Sequence, residues 1–306
     1  MKKALFVLLT GVVASALAMS ASAQQMMNYS QGFETDTSGW YQCPNVGSDV
    51  ADGPINRVAS GVNGIPAYDG NYYGVEPGGP DYGDLGGEGL NDFTYFGLTP
   101  STAPGYTGWA ATATAFPAGG FKASLAIYLD VGNSIYQAAN DTRFDWDIGM
   151  YDSSANFLRD FVFNAGFYNN LGASGNQNGF VIAAGNNAGR GSSYPEDPGH
   201  NPITITTGGW YTFNDVFTLS PTSGALQDLM TVDNAQGDVV GTWTLSNPGD
   251  TNPGGIVYGA FEQQEFSNAG LAIDDATVTV IPEPGTVTLV GIGLVGMLLS
   301  VRRRKA

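Results

Sequence analysis

The sequence predicts an all-β protein, an antiparallel two-sheet jelly-roll sandwich, set between an N-terminal signal peptide and a single C-terminal transmembrane helix. Three observations carry the prediction. Apolar and polar residues alternate with period two in run after run, Gly, Asn, Asp and Pro punctuate those runs, and no stretch between the termini sustains an amphipathic helix of ordinary length. Short strands with one polar face bury the other by packing as two facing sheets. No repeat of fixed period is present, which disfavours a solenoid or propeller.

Residues 1–23 have the three parts of a secretory signal peptide in order: Lys2 and Lys3, an apolar stretch from Ala4 to Ala18, and the small residues Ala21-Ser22-Ala23. Cleavage by signal peptidase is expected between Ala23 and Gln24, so the mature chain begins outside the cytoplasm. Residues 24–281 then form one domain of 258 residues, long enough to bury a substantial core.

Within this domain the clearest strand is Phe121–Val131, with Phe121, Ala123, Leu125, Ile127, Leu129 and Val131 on one face and Lys122, Ser124, Tyr128 and Asp130 on the other. Arg143–Asp152 repeats the pattern, placing Phe144, Trp146, Ile148 and Met150 inward and Asp145 and Asp147 outward. Leu229–Leu245 reads as a hairpin joined through Asp233–Asp238. Further strands are expected at Phe161–Tyr168, Gly179–Ala183, Pro202–Thr206, Gly209–Leu219, Gly255–Phe261 and Leu271–Ile281. Ser60–Asp92 and Ala183–Pro202, rich in Gly, Pro and Asn, read as loops.

Charge narrows the partners. Of the 28 acidic residues only Glu283 falls outside the domain, and the 27 inside face five cations, Arg57, Lys122, Arg143, Arg159 and Arg190. A net charge of this sign opposes nucleic acid and anionic membranes, leaving cations and neutral sugars as compatible ligands. With Cys43 as the single cysteine, no internal disulfide forms. Cys43 and His200 are the chain's one cysteine and one histidine, and His200 sits in a turn-rich, proline-rich loop. No catalytic residue is assigned. The carboxylate pairs Asp145 with Asp147 and Glu262 with Glu265 read as solvated faces of an acidic surface and do not reproduce the Glu-x-Asp-x-Glu pattern of laminarinase-like hydrolases. Candidate aromatic platforms for sugar C–H groups are Trp40, Tyr41, Tyr72, Tyr73, Tyr82, Tyr106 and Trp109, the plainer alternative being that half of them are core and the rest decorate loops.

Residues 282–306 differ from everything before them. Pro282-Glu283-Pro284 favours an extended, accessible segment, because each proline removes a backbone donor and disfavours helix around it. Sixteen uncharged residues follow, Thr286–Val301, which as a helix span about 24 Å. Arg302, Arg303, Arg304 and Lys305 close the chain; they reach the interface and hold this end on the cytoplasmic side.

This triplet, apolar run and basic cluster resemble the PEP-CTERM sorting signal of Gram-negative bacteria. The resemblance implies recognition and removal of the tail by an exosortase, and transit through the cell envelope to the cell surface or extracellular matrix of an organism that makes exopolysaccharide. It implies no activity for the domain.

A second resemblance rests on Gly32–Trp40 and Gly270–Val280, which look like the first and last strands of jelly-roll carbohydrate-binding modules and concanavalin-like sandwiches. In such modules a Glu after the first-strand Phe and an Asp of the closing strand meet at a structural calcium. Here these are Glu34 and Asp274, with Asp275 the alternative if the register differs by one. Alternation places Asp274 on the side of Ala276, Val278 and Val280, where a buried carboxylate favours Ca²⁺; the plainer alternative leaves both aspartates ending a strand in solvent. The chain is thus expected to be a non-catalytic surface or matrix protein able to bind exopolysaccharide, the alternative being a secreted glycan hydrolase or lyase on the same scaffold. N-terminal sequencing of the exported protein should begin at Gln24; retention of Met1 would remove the export reading.

Overall fold

The computed structural model describes residues 28–38, 40–42, 55–76, 90–94, 115–132, 142–154, 156–167, 179–186, 200–264 and 270–283. The signal peptide with Ala21, Ala23 and Gln24, Cys43, Glu265, and the tail from Pro284 onward, including its expected transmembrane helix and Arg302, Arg303 and Arg304, lie outside them.

Among the described residues fifteen strands form two antiparallel sheets: β1 (Tyr29–Gln31), β2 (Trp40–Gln42), β3 (Asn56–Ala59), β4 (Tyr72–Glu76), β5 (Leu90–Thr94), β6 (Phe121–Leu129), β7 (Thr142–Asp152), β8 (Phe157–Phe167), β9 (Phe180–Asn186), β10 (Ile203–Ile205), β11 (Gly209–Leu219), β12 (Leu226–Asn234), β13 (Val239–Ser246), β14 (Pro253–Gln264) and β15 (Leu271–Val280). One sheet runs β13-β12-β11-β6-β15-β4-β3, with β1 also paired to β15; the other runs β10-β9-β8-β7-β14-β5-β2. Helix is confined, among the described residues, to short 3-10 pieces such as Val62–Gly64, and none of them is long and apolar enough to cross a membrane.

The strands expected from period-two alternation are present, but Gly32–Trp40, expected as the first strand, is a correction: Gly32–Ser38 turns between β1 and β2, because the left-handed Phe33 interrupts extended backbone. The expected Ala183–Pro202 loop likewise starts later, since β9 runs on to Asn186. The Ser60–Asp92 stretch is a correction: it contains β4 and the start of β5, because Tyr72, Tyr73 and Val75 supply enough β-forming side chains despite the glycines around them. The inner faces meet as expected, with Phe121, Leu125 and Ile127 of β6 fully buried against Phe144, Trp146 and Ile148 of β7 and Phe161 and Phe163 of β8. Aromatic edges fix the fit. Phe213 meets the Phe163 ring at 5.2 Å and 87°, and Phe217 meets Phe161 at 5.2 Å and 77°. Each such ring contributes about 1.5–3 kcal/mol through burial and about 0.5–1.5 kcal/mol more through ring contact.

The outer faces are less wet than alternation suggests. Asp145 and Asp147 are 5% and 4% exposed, so they are not part of a solvated acidic face. Asn164 of the neighbouring strand donates to the Asp145 carboxylate. A carboxylate with a cross-strand amide donor tolerates this burial, and period two alone carries no signal of it.

Among the described residues, three acidic side chains lie inside the sandwich itself. Asp250 is held there by Arg159 of β8, whose Nε donates to its Oδ2 at 2.7 Å. Asp215 of β11 and Asp228 of β12 share the inner face with Phe213, Phe217, Leu226 and Met230, are fully buried, and have no backbone or side-chain donor of acceptable geometry. They interact with each other. Burial pushes the Asp228 carboxyl up to about 8; burial first, and then the neighbouring Asp228, push Asp215 well above the usual carboxylate range. The pair therefore keeps a proton in folded protein at neutral pH.

Unfolded carboxyls ionise near 4, so above that pH the folded state binds more protons than the unfolded one. The contribution is fully present below about pH 4 and is lost as pH rises towards about 8. Urea midpoints should accordingly fall between pH 5 and pH 8, and Asp228→Asn, which keeps a donor for Asp215, should flatten that slope. A wild-type slope unchanged by the substitution would overturn the assignment.

Candidate functional site

Both resemblance-derived carboxylates, Glu34 and Asp274, close on one short loop, Tyr68–Tyr72. The chain leaves β1 and turns at Phe33, which is fully buried with φ 54, a left-handed conformation that a bulky residue holds only when its surroundings compensate. Arg57 of β3 supplies that support. Its Nε donates to the Phe33 carbonyl at 2.6 Å, its Nη2 donates to the Glu34 carbonyl, and its guanidinium lies 3.2 Å over the Tyr72 ring centroid. Glu34 is thereby delivered to the loop, where its Oε1 accepts the N–H groups of Asn71 at 2.8 Å and Tyr72 at 2.9 Å. Those two backbone bonds hold its carboxyl below the usual range.

Asp274 grips the other end of the loop. Its Oδ2 accepts the N–H groups of Tyr68 at 3.0 Å and Asp69 at 3.3 Å, and its Oδ1 accepts that of Asp275 at 2.8 Å. The side chain is fully buried, and burial raises its pKa to about 7 in spite of these donors. Asp275 is half-buried, with φ 45, and is raised by burial and then by the charge of Asp69.

The expected orientation of Asp274 is corrected here. The pairing of β15 with β6 shifts register between Asp274 and Thr277, and the extra residue of a bulge reverses which face the strand presents. Ile273 before the shift and Ala276 and Val278 after it join the inter-sheet core. Asp274 pairs with Ala126, which belongs to a separate outer cluster with Tyr73, Trp210 and Ala272. Asp274 thus faces away from Ala276, Val278 and Val280. It is buried because the 60–71 segment lies over it, with Trp210 Nε1 donating to the Pro66 carbonyl at 2.7 Å.

The donors at this site are of the kind a hard cation takes: the carboxylates of Glu34, Asp274 and Asp275, joined by Asp69, whose Oδ1 accepts the Gly70 N–H at 2.8 Å. The buried Asp274 favours a cation beside it. In the arrangement described, its oxygens and Glu34 Oε1 are directed at backbone N–H groups, and no group of three or more acidic, His or Cys side chains converges as a cage among the described residues. Asp69, Arg57 and the loop backbone were not singled out from sequence, although the Asp69-Gly70 pair is a turn signal that marks the loop.

The other candidates fall out as follows. Pro282 and Glu283 are exposed directly after β15. His200 is half-buried, and its carbonyl accepts Trp243 Nε1 at 3.0 Å. Of the sugar platforms, Trp40 and Tyr73 are core residues at 6% and 0% exposure, and one face of Tyr72 is covered by Arg57. The Tyr41 side chain, Tyr82, Tyr106 and Trp109 lie outside the described residues, as do the side chain of Glu262 and all of Glu265. Tyr68, which sequence did not single out, is exposed against the Trp210 edge at 5.9 Å.

Comparison with known proteins identifies residues 280–305 as a PEP-CTERM protein-sorting motif. No curated protein matches the chain. Among solved structures, the chain is similar to the CBM2 module of the evolved Dit of Lactobacillus casei BL23 phage J-1, at 12% identity over 84% of this chain and 100% of that one, with a TM-score of 0.37. It is similar to an endo-1,3-beta-glucanase from Streptomyces sioyaensis, at 12% identity over 81% and 99%, with a TM-score of 0.36. Peanut lectin with a 9mer peptide matches at 10% identity over 84% and 100%, with a TM-score of 0.33.

The loop clamp makes a sharp expectation for Gly70. Its φ is 68, and an added Cβ would lie 2.5 Å from Glu34 Cδ. Gly70→Ala should destabilise the domain by about 1–3 kcal/mol. In a Glu34→Ala background the cost should shrink to the left-handed backbone share, about 1 kcal/mol. Additive losses in urea unfolding would show that Gly70 does not serve the Glu34 contact.

Proposed function

We propose that this chain is an exported precursor, held at the envelope by its C-terminal tail, from which an exosortase releases a non-catalytic jelly-roll domain that binds neutral exopolysaccharide and is stabilised by Ca²⁺. The single observation that carries the reading is the PEP-CTERM motif at 280–305, which begins where the closing strand ends. Such a motif implies an exported protein processed by an exosortase.

The polysaccharide and the metal rest on chemistry. A domain with 27 acids and five bases repels polyanions and not neutral chains of hydroxyls. The burial of Asp145, Asp147, Asp215 and Asp228 supports the non-catalytic reading, because glycoside hydrolysis needs two carboxyls open to a glycosidic bond. When bound, Ca²⁺ would supply positive charge to Asp274 and tie the chain's first and last strands; Glu34, Asp274, Asp275 and Asp69 are the residues to hold it.

Mass spectrometry of the secreted protein should place its C-terminus near Pro284, and a glycan array should show binding of neutral polysaccharide with no reducing-sugar release. Chelation should lower the melting temperature of the wild type by about 5–10 °C, the shift expected for loss of a ligand present at about 100 times its Kd, and leave Asp274→Asn unmoved. An intact tail would end the sorting reading, released sugar would favour a hydrolase or lyase, and a chelation-insensitive wild type would remove the metal.

A further inference from the structure

The end of the sandwich and the start of the tail are joined without slack. Val280 N donates to Asn28 Oδ1 at 2.9 Å, and Ile281 N donates to the Gly120 carbonyl at 2.9 Å. Gly120 N in turn donates to the Pro117 carbonyl at 2.8 Å, closing a turn under the departing chain. At Gly119 an added Cβ would fall on the Ile281 carbonyl and lie 3.0 Å from the Pro282 carbonyl carbon. The backbone of 281–282 therefore lies flat on this turn. Pro282 has no N–H, so the pairing stops there and the motif emerges exposed.

Length then confines whatever cuts the motif. Four residues separate the fixed Ile281 from Thr286, where the apolar run begins, and the five steps between the two reach about 17 Å when fully extended. The head-group layer occupies about 5–8 Å of that. With the run in a bilayer, the turn stands close to the membrane surface, and an enzyme gripping Pro282–Pro284 must meet it. The turn it meets beside the motif is uncharged: Ala115 and Ala118 are exposed, and Phe116, Pro117 and Ile281 are half-buried. On a domain so acidic, this lip lets a membrane protein approach with Glu283 of the motif itself as the one carboxylate on the proposed surface.

We propose that the Ala115–Gly120 turn, together with Ile281–Glu283, is the docking surface for the membrane-embedded endopeptidase that removes the tail. The proposal rests on the processing reading above. Gly119 acts as a positioning residue, and Ala118 is the exposed point of contact.

The test follows tail removal by pulse-chase and C-terminal mass in cells producing the full chain with its native enzyme. Ala118→Glu should slow removal about tenfold, as a charge placed in a contact does, with an unchanged melting temperature for the released domain. Thr242→Glu, an equal charge at an exposed position on the edge strand β13, should leave the rate unchanged. Six Gly/Ser residues inserted between Ile281 and Pro282 carry the motif away from the turn, so in that chain Ala118→Glu should no longer matter. Wild-type speed for Ala118→Glu, or equal slowing by Thr242→Glu, would overturn the docking surface while leaving processing intact. A wild-type tail that is never removed would overturn both.

Discussion

The strand that completes the eight-stranded sheet is also the last strand of the domain. β15 is not an edge: it pairs with β6 along one side, and with β4 through Leu271–Ile273 and β1 through Ala276–Val278 along the other. Without it, β13-β12-β11-β6 and β4-β3 have no hydrogen-bonded connection, and the row of unpaired groups on β6 would be an exposed edge. The sheet therefore closes only when residue 280 is in place. The contacts that close it are far apart in sequence, from about 150 residues for β6 to about 250 for β1, so loop-closure entropy opposes their formation. Closure also delivers the motif to the surface, since Ile281 docks one residue further on.

That same strand carries the departure from regularity on which the candidate site depends. The shift at Asp274–Thr277 lets β15 keep Ile273, Ala276 and Val278 in the core while turning Asp274 outward. A regular strand would have to place either Ala276 or Asp274 on the wrong face. The bulge resolves the conflict at the expense of a left-handed Asp275, and Asp274 regains hydrogen bonds from the loop that covers it. First and last strands are thus coupled through Tyr68–Tyr72, held at one end by Asp274 and at the other by Glu34.

Period two was enough to read β6 to β15 from sequence, because each run is long enough for its alternation to stand out. The short strands β1 to β5 were not legible in the same way. Three to five residues among glycines give too few alternations, and their pairing is set by β15 and β14, not by local pattern. The same limit hid the geometry of the site. Resemblance picked out Glu34 and Asp274, and the structure brings both to one loop, but a one-residue bulge reverses every facing argument beyond it and has no signature in composition. Burial of Asp145 was missed, and which of the aromatic candidates are core was left open, for a related reason: what packs on a side chain comes from distant segments. Trp40 belongs to the core because Phe33 and Trp146 lie against it, at 6.1 and 6.3 Å.

Four buried acids show how an acidic chain reconciles charge with a dry interior. Asp250 has a cation, Arg159. Asp274 has three backbone N–H groups, which stabilise the ionised form but do not offset its burial fully, so its pKa stays high. Asp215 and Asp228 have no cation, and burial outweighs what the Asp215 carboxyl and the Val216 backbone offer Asp228, so the pair keeps a proton. In Asp274 and in the pair alike burial is the largest cause of the raised pKa, and the nearby dipoles oppose it only in part. A buried pair flanked by Phe213 and Phe217 is less stable than an apolar pair of the same size would be at neutral pH, so its presence works against the aromatic core around it. The sandwich tolerates it because the opposing term is broad: ring contacts on both sides of Asp215, each independent of pH, hold β11 to β8 whatever the carboxyls do.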